Sequence, residues 1–71
     1  MQEKELAEVL DRFLDELPPT ERRIFICRYW YFDDISTICN QFGFSHSKVK
    51  SMLYRIRKKL LFRLIKEGIM K

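Results

Sequence analysis

Apolar residues recur at helical spacing along the first part of the chain, with charged residues between them. Six residues form this stripe: Leu6, Val9, Leu10, Phe13, Leu14 and Leu17. Positions three and four residues apart lie on one side of a helix, so the pattern predicts an amphipathic helix over residues 3–16. The helix is expected to end before residues 17–19, Leu-Pro-Pro, because a residue that precedes a proline disfavours the helical conformation.

The most apolar segment of the chain, IFICRYWYF, follows at residues 24–32. Periodicity alone would also allow a buried strand here, but no partner strand is predicted elsewhere. We therefore predict a second helix over residues 19–31, in which Pro19 and the acidic Glu21 suit the first turn.

Apolar side chains cover most sides of this second helix, which is therefore expected to be the central and most buried one. Trp30 and Phe25 are expected to share a core with Leu53 and Ile56. Arg28 lies among apolar neighbours, and a buried cation requires an anionic partner. Arg28 is therefore expected to contact a carboxylate or a phosphate.

A short third helix is predicted over residues 34–42. Its expected inner face comprises Ile35, Ile38, Cys39 and Phe42. Asp33 or Asp34 is expected to cap its start, since a side-chain carboxylate can accept a free backbone N–H there. Gly43 is expected to end it with a positive φ, and Ser45 to cap the next helix.

The fourth predicted helix, over residues 46–67, has an apolar side and a basic side. The apolar side, expected to face the core, comprises Val49, Leu53, Ile56 and Leu60. The opposite side comprises Ser47, Ser51, Tyr54, Arg55 and Lys58, with Lys48, Lys50 and Arg57 at its flanks. This helix contains no acidic residue before Glu67, so its like charges repel unless an anionic partner is present.

Three interpretations of the basic side remain open: a solvated face, a membrane-surface helix and a nucleic-acid interface. The pattern favours the last, because small serines allow close approach and Tyr54 can contact a thymine methyl group or a sugar. Lys50 and Arg55 can donate to guanine edges or to phosphates. A short helix, a turn with Gly43 and a long basic helix form a helix-turn-helix pattern, whose second helix enters the DNA major groove.

Charge is distributed unevenly along the 71 residues, whose net charge is +4. Residues 1–21 carry a net charge of −5, and residues 46–71 carry +8. The basic end is therefore expected to be attracted to phosphates. The chain contains only two glycines and two prolines, which favours a few helices over many short strands. We predict a single all-α domain of four helices.

The sequence contains two cysteines, Cys27 and Cys39, and neither a signal peptide nor an apolar run of membrane-spanning length. We expect a reducing, cytoplasmic compartment, no contact with a membrane, and cysteines that act as small core residues. Metal ligation with His46 lacks paired ligand spacing, so neither a metal nor another cofactor is expected. The chain also lacks a catalytic constellation, so it is not expected to be an enzyme.

The segment LPPTERRIFICRYWYFDDISTICNQFGFSHSKVKSMLYRIRKKL, residues 17–60, resembles region 4 of bacterial sigma-70 family RNA polymerase sigma factors. It is most similar to the extracytoplasmic-function type. The shared features are the leucine-proline opening, an arginine with aromatic residues in the second helix, a Gly-x-Ser turn and a Val-Lys-Ser-x-Leu-x-Arg-x-Arg-Lys-x-Leu helix. They cover about two-thirds of the chain.

The resemblance implies contact with the −35 element of double-stranded promoter DNA and with the flap of the RNA polymerase β subunit. The motif assigns four residues to bases or adjacent phosphates: Lys50, Ser51, Tyr54 and Arg55. It assigns further residues to the DNA backbone: Ser45, Ser47 and Lys48, with Arg57 and Lys58 as additional phosphate contacts. We also assign Arg28 to the phosphate contacts, because a cation among apolar neighbours is expected to require an anionic partner.

The sequence departs from the family at several positions. Met52 stands where an arginine is common, which removes an expected backbone contact, and Ser36–Thr37 replaces an acidic pair. Cys39 replaces an alanine. Region 2, which melts the promoter and binds the polymerase clamp, has no counterpart in these residues, so an excised domain and a stand-alone relative both remain open.

Three functions follow from these observations. The first is a sigma factor region 4 domain, which the segment SMLYRIRKKL favours. The second is a stand-alone helix-turn-helix regulator, such as a LuxR-type effector domain or a small region 4-like protein. The third is a protein-interaction module for a partner such as an anti-sigma factor. Leu61, Phe62 and Ile65 support the third function if they form an exposed apolar patch, whereas they could instead pack against the first helix.

Overall fold

The computed structural model describes residues 3–69, which form four helices and, within that range, no strand. The helices are α1 (Glu3–Glu16), α2 (Pro19–Tyr29), α3 (Ile35–Phe42) and α4 (His46–Lys66). The predicted all-α class is therefore confirmed. α2 ends two residues before the predicted boundary, and the other boundaries lie within one residue of the predicted ones.

α4 is the central helix, because the other three helices all pack against it. One core cluster joins α2, α3 and the first half of α4: Ile24, Ile38, Cys39, Val49, Met52 and Leu53. A second cluster joins α1 to α4: Phe13, Leu17 and Ile56, with Leu14, Phe25 and Leu60 packed against them. The predicted core sides of α1, α3 and α4 are confirmed.

The expectation that α2 is the most buried helix is wrong. Ile24 is its only fully buried residue within the described range, and Trp30 is 76% exposed rather than packed with Leu53 and Ile56. Tyr31 and Phe32 are likewise exposed. The helix ends before these aromatic residues, and a turn in which Phe32 has a φ of 57° carries them away from the core. An apolar segment does not by itself specify where its helix ends.

The predicted helix boundaries around α3 and α4 are confirmed by their capping contacts. The Asp34 carboxylate accepts a hydrogen bond from the Thr37 backbone N–H at 2.8 Å. Gly43 ends α3 in the left-handed conformation, with a φ of 70°. The Ser45 hydroxyl accepts the Lys48 backbone N–H at 3.1 Å, which starts α4. These contacts fix the direction of α4 relative to α3.

Candidate nucleic-acid interface

α3 and α4 are joined by the three residues between Phe42 and His46, which form the turn of a helix-turn-helix. The Phe44 side chain packs against the core cluster and stacks on Phe42, with ring centroids 6.1 Å apart. Ser36 Oγ and His46 Nε2 lie 3.1 Å apart and link the first turns of the two helices. The first turn of α4 is thereby held at one position relative to α3.

The outward face of α4 lies opposite its core side. Val49 and Ile56 are fully buried, whereas Ser51 and Arg55 are exposed. Tyr54 is 53% exposed, and the Lys58 ammonium lies 5.3 Å from the centroid of its ring. A flat ring with a cation beside it offers both an apolar contact and a positive charge to a polyanion.

The first turn of α4 carries the residues expected at the DNA backbone. The Ser45 hydroxyl already accepts a backbone N–H, as described above, and Ser47 is exposed beside it. The Lys48 ammonium lies 4.0 Å from the centroid of the Phe44 ring, a distance at which the ring attracts the cation. Backbone N–H groups and a cation therefore lie together at this end of the helix, which favours the binding of anions.

Two arginines on different helices lie on one flank of α4. Arg57 Nη1 donates to the Tyr29 hydroxyl at 2.8 Å. Arg28 Nη1 donates to the backbone carbonyl of Asp33 at 3.0 Å, rather than to the carboxylate that was expected as one alternative. Both arginines line a small cleft together with Lys50, over Ile35 and Leu53. The spacing within α4 predicted only the proximity of Lys50 and Arg57, because Arg28 belongs to α2.

Acidic side chains within the described residues pair with other cations. Arg12 pairs with Glu67 and Lys59 with Glu21, each at 3.9 Å, and Arg63 pairs with Glu16. Along residues 3–69, no carboxylate lies within 4.0 Å of a candidate DNA-contacting cation, namely Arg28, Lys48, Lys50, Arg55, Arg57 and Lys58. The outward face of α4 therefore carries uncompensated positive charge.

The model of the family Sigma-70, region 4, matches residues 7–60. The chain belongs to the sigma-70 region 4 family. Domains of this family bind DNA in transcription and are not catalytic. The match includes α2, α3 and the part of α4 that carries the outward basic face. Comparison with curated proteins and with solved structures gives no significant match.

Met52 of this region 4 domain is a core residue. Its side chain is 7% exposed and belongs to the cluster that includes Ile38 and Leu53. Sequence reasoning considered this position only as a lost DNA-backbone contact. A buried thioether at this position contributes to packing between α3 and α4 instead.

The region 4 domain also has an apolar groove of about 840 Å³ between α1, α2 and α4, which extends to the start of the turn after α2. Apolar and aromatic residues line most of it: Leu10, Leu14, Phe25, Ile26, Tyr29, Trp30, Tyr31 and Leu60. Arg57 lies at its edge and also lines the small basic cleft. Sequence reasoning missed this groove because it expected Trp30 in the core.

A second apolar surface lies near the end of α4. Leu61 is 43% exposed, Phe62 is 65% exposed and Ile65 is 45% exposed. The sequence left two alternatives open for these residues, an exposed apolar patch and packing against α1. Their exposure favours the exposed patch. An exposed apolar patch of this kind is typical of a surface that contacts another protein.

The cysteines and the single histidine do not form a metal site in the described part of the chain, where no three His, Cys, Asp or Glu side chains converge. Cys39 is buried and Cys27 is partly buried, both as free thiols. Burial raises the pKa of the Cys27 thiol, and the nearby Asp33 raises it further. Within residues 3–69, none of the helices combines the length and the apolar character that a bilayer span requires.

Proposed function

We propose that this region 4 domain acts in the cytoplasm, where it recognises the −35 element of a promoter and docks on RNA polymerase to direct transcription initiation. The observation that carries the proposal is the outward face of α4, a row of small, aromatic and cationic side chains whose charges have no acidic partner along the described chain. A duplex supplies the missing anions, and its major groove accommodates an α-helix.

Base recognition is assigned to the middle of this face. Ser51 and Tyr54 are exposed on the side of α4 opposite the core and can approach the floor of the groove. Arg55 is exposed beside them, and its guanidinium can donate two parallel hydrogen bonds to a guanine. Lys50 lies at the flank of the row, from which it can reach either a base edge or a phosphate.

Backbone contacts are assigned to the ends and flanks of the face. Ser47 and Lys48 contact a phosphate near the positive end of the α4 dipole, where Ser45 already holds the first turn. Lys58 and the two arginines of the small cleft, Arg28 and Arg57, contact phosphates farther along α4. These contacts fix the position of the helix in the groove, and the base contacts then discriminate between sequences.

Docking on the β-subunit flap is assigned to the apolar groove beside α1 and α2. Its volume of about 840 Å³ and its aromatic lining suit an apolar segment of a protein partner. Trp30 at its edge is 76% exposed, as an unoccupied hot-spot residue would be. This assignment rests on the family, for which polymerase contact is characteristic.

Two further functions remain candidates. A stand-alone helix-turn-helix regulator would use the same face of α4 on DNA without docking on polymerase. A module that binds an anti-sigma-type partner is favoured by one specific observation, the exposed patch of Leu61, Phe62 and Ile65. In the second case the patch would be the principal binding surface and α4 would not discriminate between DNA sequences.

Selection from a pool of randomised duplexes tests the proposed function. Repeated binding and amplification with the 71-residue chain should enrich one short sequence, and the enriched duplex should bind more tightly than the starting pool at the same salt concentration. Lack of enrichment, together with binding that is insensitive to salt, would contradict DNA recognition and favour the protein-interaction function. Capture of the isolated β-subunit flap by the wild-type chain but not by Trp30→Ala then separates a sigma factor from a stand-alone regulator.

A further inference from the structure

A cleft of about 180 Å³ lies between α2, α3 and α4, beside the outward face of α4. Three cations line it: Arg28 from α2, with Lys50 and Arg57 from α4. Ile35 and Leu53 form the rest of the lining, which includes no acidic residue. Lys50 and Arg57 are seven residues apart, so they lie on the same side of α4 and two turns from each other.

The two arginines of this cleft are held by neutral acceptors. Arg57 donates to the Tyr29 hydroxyl, and Arg28 donates to a backbone carbonyl, so neither positive charge is neutralised by its anchor. A guanidinium has five N–H donors, and each anchor uses one of its nitrogen atoms. The remaining donors are available in side chains whose positions are already restricted, which lowers the entropy cost of binding a ligand.

Asp34 is an acidic residue near this cleft, and its charge interacts with that of Arg28. Its carboxylate accepts the Thr37 backbone N–H, and this hydrogen bond, with a smaller contribution from the charge of Arg28, lowers the pKa of Asp34. The Asp34 carboxylate is thus committed to capping α3, and it forms no ion pair with Arg28 within 4.0 Å. Three cations from two helices therefore converge without a carboxylate between them, an arrangement that an anion would stabilise.

We propose that Arg28, Lys50 and Arg57 form a single phosphate-binding cleft, which holds one backbone phosphate of the bound duplex. The proposal deepens the proposed function and rests on it. It assigns Lys50 to a phosphate rather than to a base edge, which leaves base discrimination to Ser51, Tyr54 and Arg55. The cleft also brings α2 into the DNA interface, whereas the helix-turn-helix pattern alone includes only α3 and α4.

The first test compares three single variants, Arg28→Gln, Lys50→Gln and Arg57→Gln, on the selected duplex and on the randomised pool. Each variant should weaken binding to both by the same factor and should reduce the slope of log K against log salt by at most about 0.9, the contribution of one phosphate. Lys66→Gln, an exposed substitution outside the cleft, is the matched control and should change neither quantity. Thermal unfolding identifies variants that alter the fold. Lys50 is exposed, so Lys50→Gln tests the cleft without disturbing the fold.

The second test identifies the phosphate. In a series of selected duplexes, each backbone phosphate is replaced in turn by an uncharged methylphosphonate. Several positions should weaken wild-type binding, and at one of them the same replacement should have little further effect on Lys50→Gln, because that contact is already lost. If the methylphosphonate and the variant weaken binding independently at every position, the cleft does not hold a DNA phosphate.

Failure of this inference is distinguishable from failure of the proposed function. If the wild-type chain binds the selected duplex with a steep salt dependence, while all three cleft variants retain the wild-type affinity and slope, DNA recognition stands and the cleft is excluded. A larger loss of affinity of Lys50→Gln for the selected duplex than for the randomised pool would return Lys50 to base recognition and overturn the proposal. Saturation of the cleft by pyrophosphate at lower concentrations than by duplex would assign it to a free anion instead.

Discussion

Arg57 of α4 and Tyr29 of α2 are joined by a hydrogen bond of 2.8 Å, in which the guanidinium donates to the phenolic oxygen. The Tyr29 ring in turn packs on Phe25, with ring centroids 4.8 Å apart. Both Tyr29 and Arg57 line the apolar groove, and Arg57 also lines the basic cleft. One residue pair thus connects the surface proposed for polymerase with the surface proposed for DNA.

Tyr29→Phe should weaken DNA binding modestly, by less than about tenfold, because it removes the acceptor that restrains Arg57 and keeps the ring that packs on Phe25. The same substitution should have no effect on DNA binding in an Arg57→Ala background. A double-mutant cycle on the duplex affinity measures this coupling. An equal effect of Tyr29→Phe in both backgrounds would show that Tyr29 does not act through Arg57.

DNA binding by the isolated domain should be weak and steeply dependent on salt. Three phosphates are assigned, to Lys48, to Lys58 and to the basic cleft, so log K should fall against log salt with a slope of roughly −3. Titrations of a fluorescent duplex at several salt concentrations give the slope. An affinity that hardly changes between about 50 and 200 mM salt would contradict the nucleic-acid interface as a whole.

Leu53→Ala should reduce the free energy of unfolding by about 2–5 kcal/mol, because it removes buried apolar surface and leaves a cavity in the cluster between α3 and α4. Leu53 is 2% exposed. Leu61→Ala is the control on the same helix, and its partly exposed side chain should cost less than about 1 kcal/mol. Denaturant unfolding of both variants provides the comparison. Equal losses would mean that the assigned core side of α4 is wrong.

Phe32→Gly should be more stable than Phe32→Ala by about 1 kcal/mol. Phe32 has a φ of 57° and is 83% exposed, so its backbone is in a conformation that costs free energy in any residue with a Cβ atom. Both variants remove the ring, so their difference isolates the backbone term, which denaturant unfolding can measure. A Phe32→Gly variant that is no more stable than Phe32→Ala would show that this turn is not strained.

Arg55→Ala should weaken binding to the selected duplex more than binding to random DNA, by about 1–3 kcal/mol if the contact is bidentate. Lys66 lies near the end of α4, and Lys66→Ala should weaken binding to the two DNAs equally, if at all. Lys71, expected to be similarly remote, lies outside the described residues. Titration of both variants against both duplexes at one salt concentration makes the comparison. Equal losses for Arg55→Ala would make Arg55 a phosphate contact and leave base recognition to Ser51 and Tyr54.

Features that depend on local geometry could be predicted from the amino-acid sequence alone. Apolar spacing identified the core sides of α1 and α4, because a helix repeats every 3.6 residues whatever surrounds it. Short-range chemistry identified the boundaries of α3 and α4, since Asp34 and Ser45 cap N–H groups three residues away and Gly43 tolerates a positive φ. The outward face of α4 followed directly from these local rules.

Which apolar side chains face solvent, and which side chains from different helices meet, depends on the three-dimensional packing of the helices. Trp30 and Phe32 are apolar, but the turn after α2 directs them outward, and no periodic rule applies once a helix has ended. Arg28 reaches the same cleft as Lys50 because α2 packs against α4, which no spacing within either helix could indicate. Contacts between residues distant in sequence depend on how whole helices pack, and that packing reflects all the core side chains together.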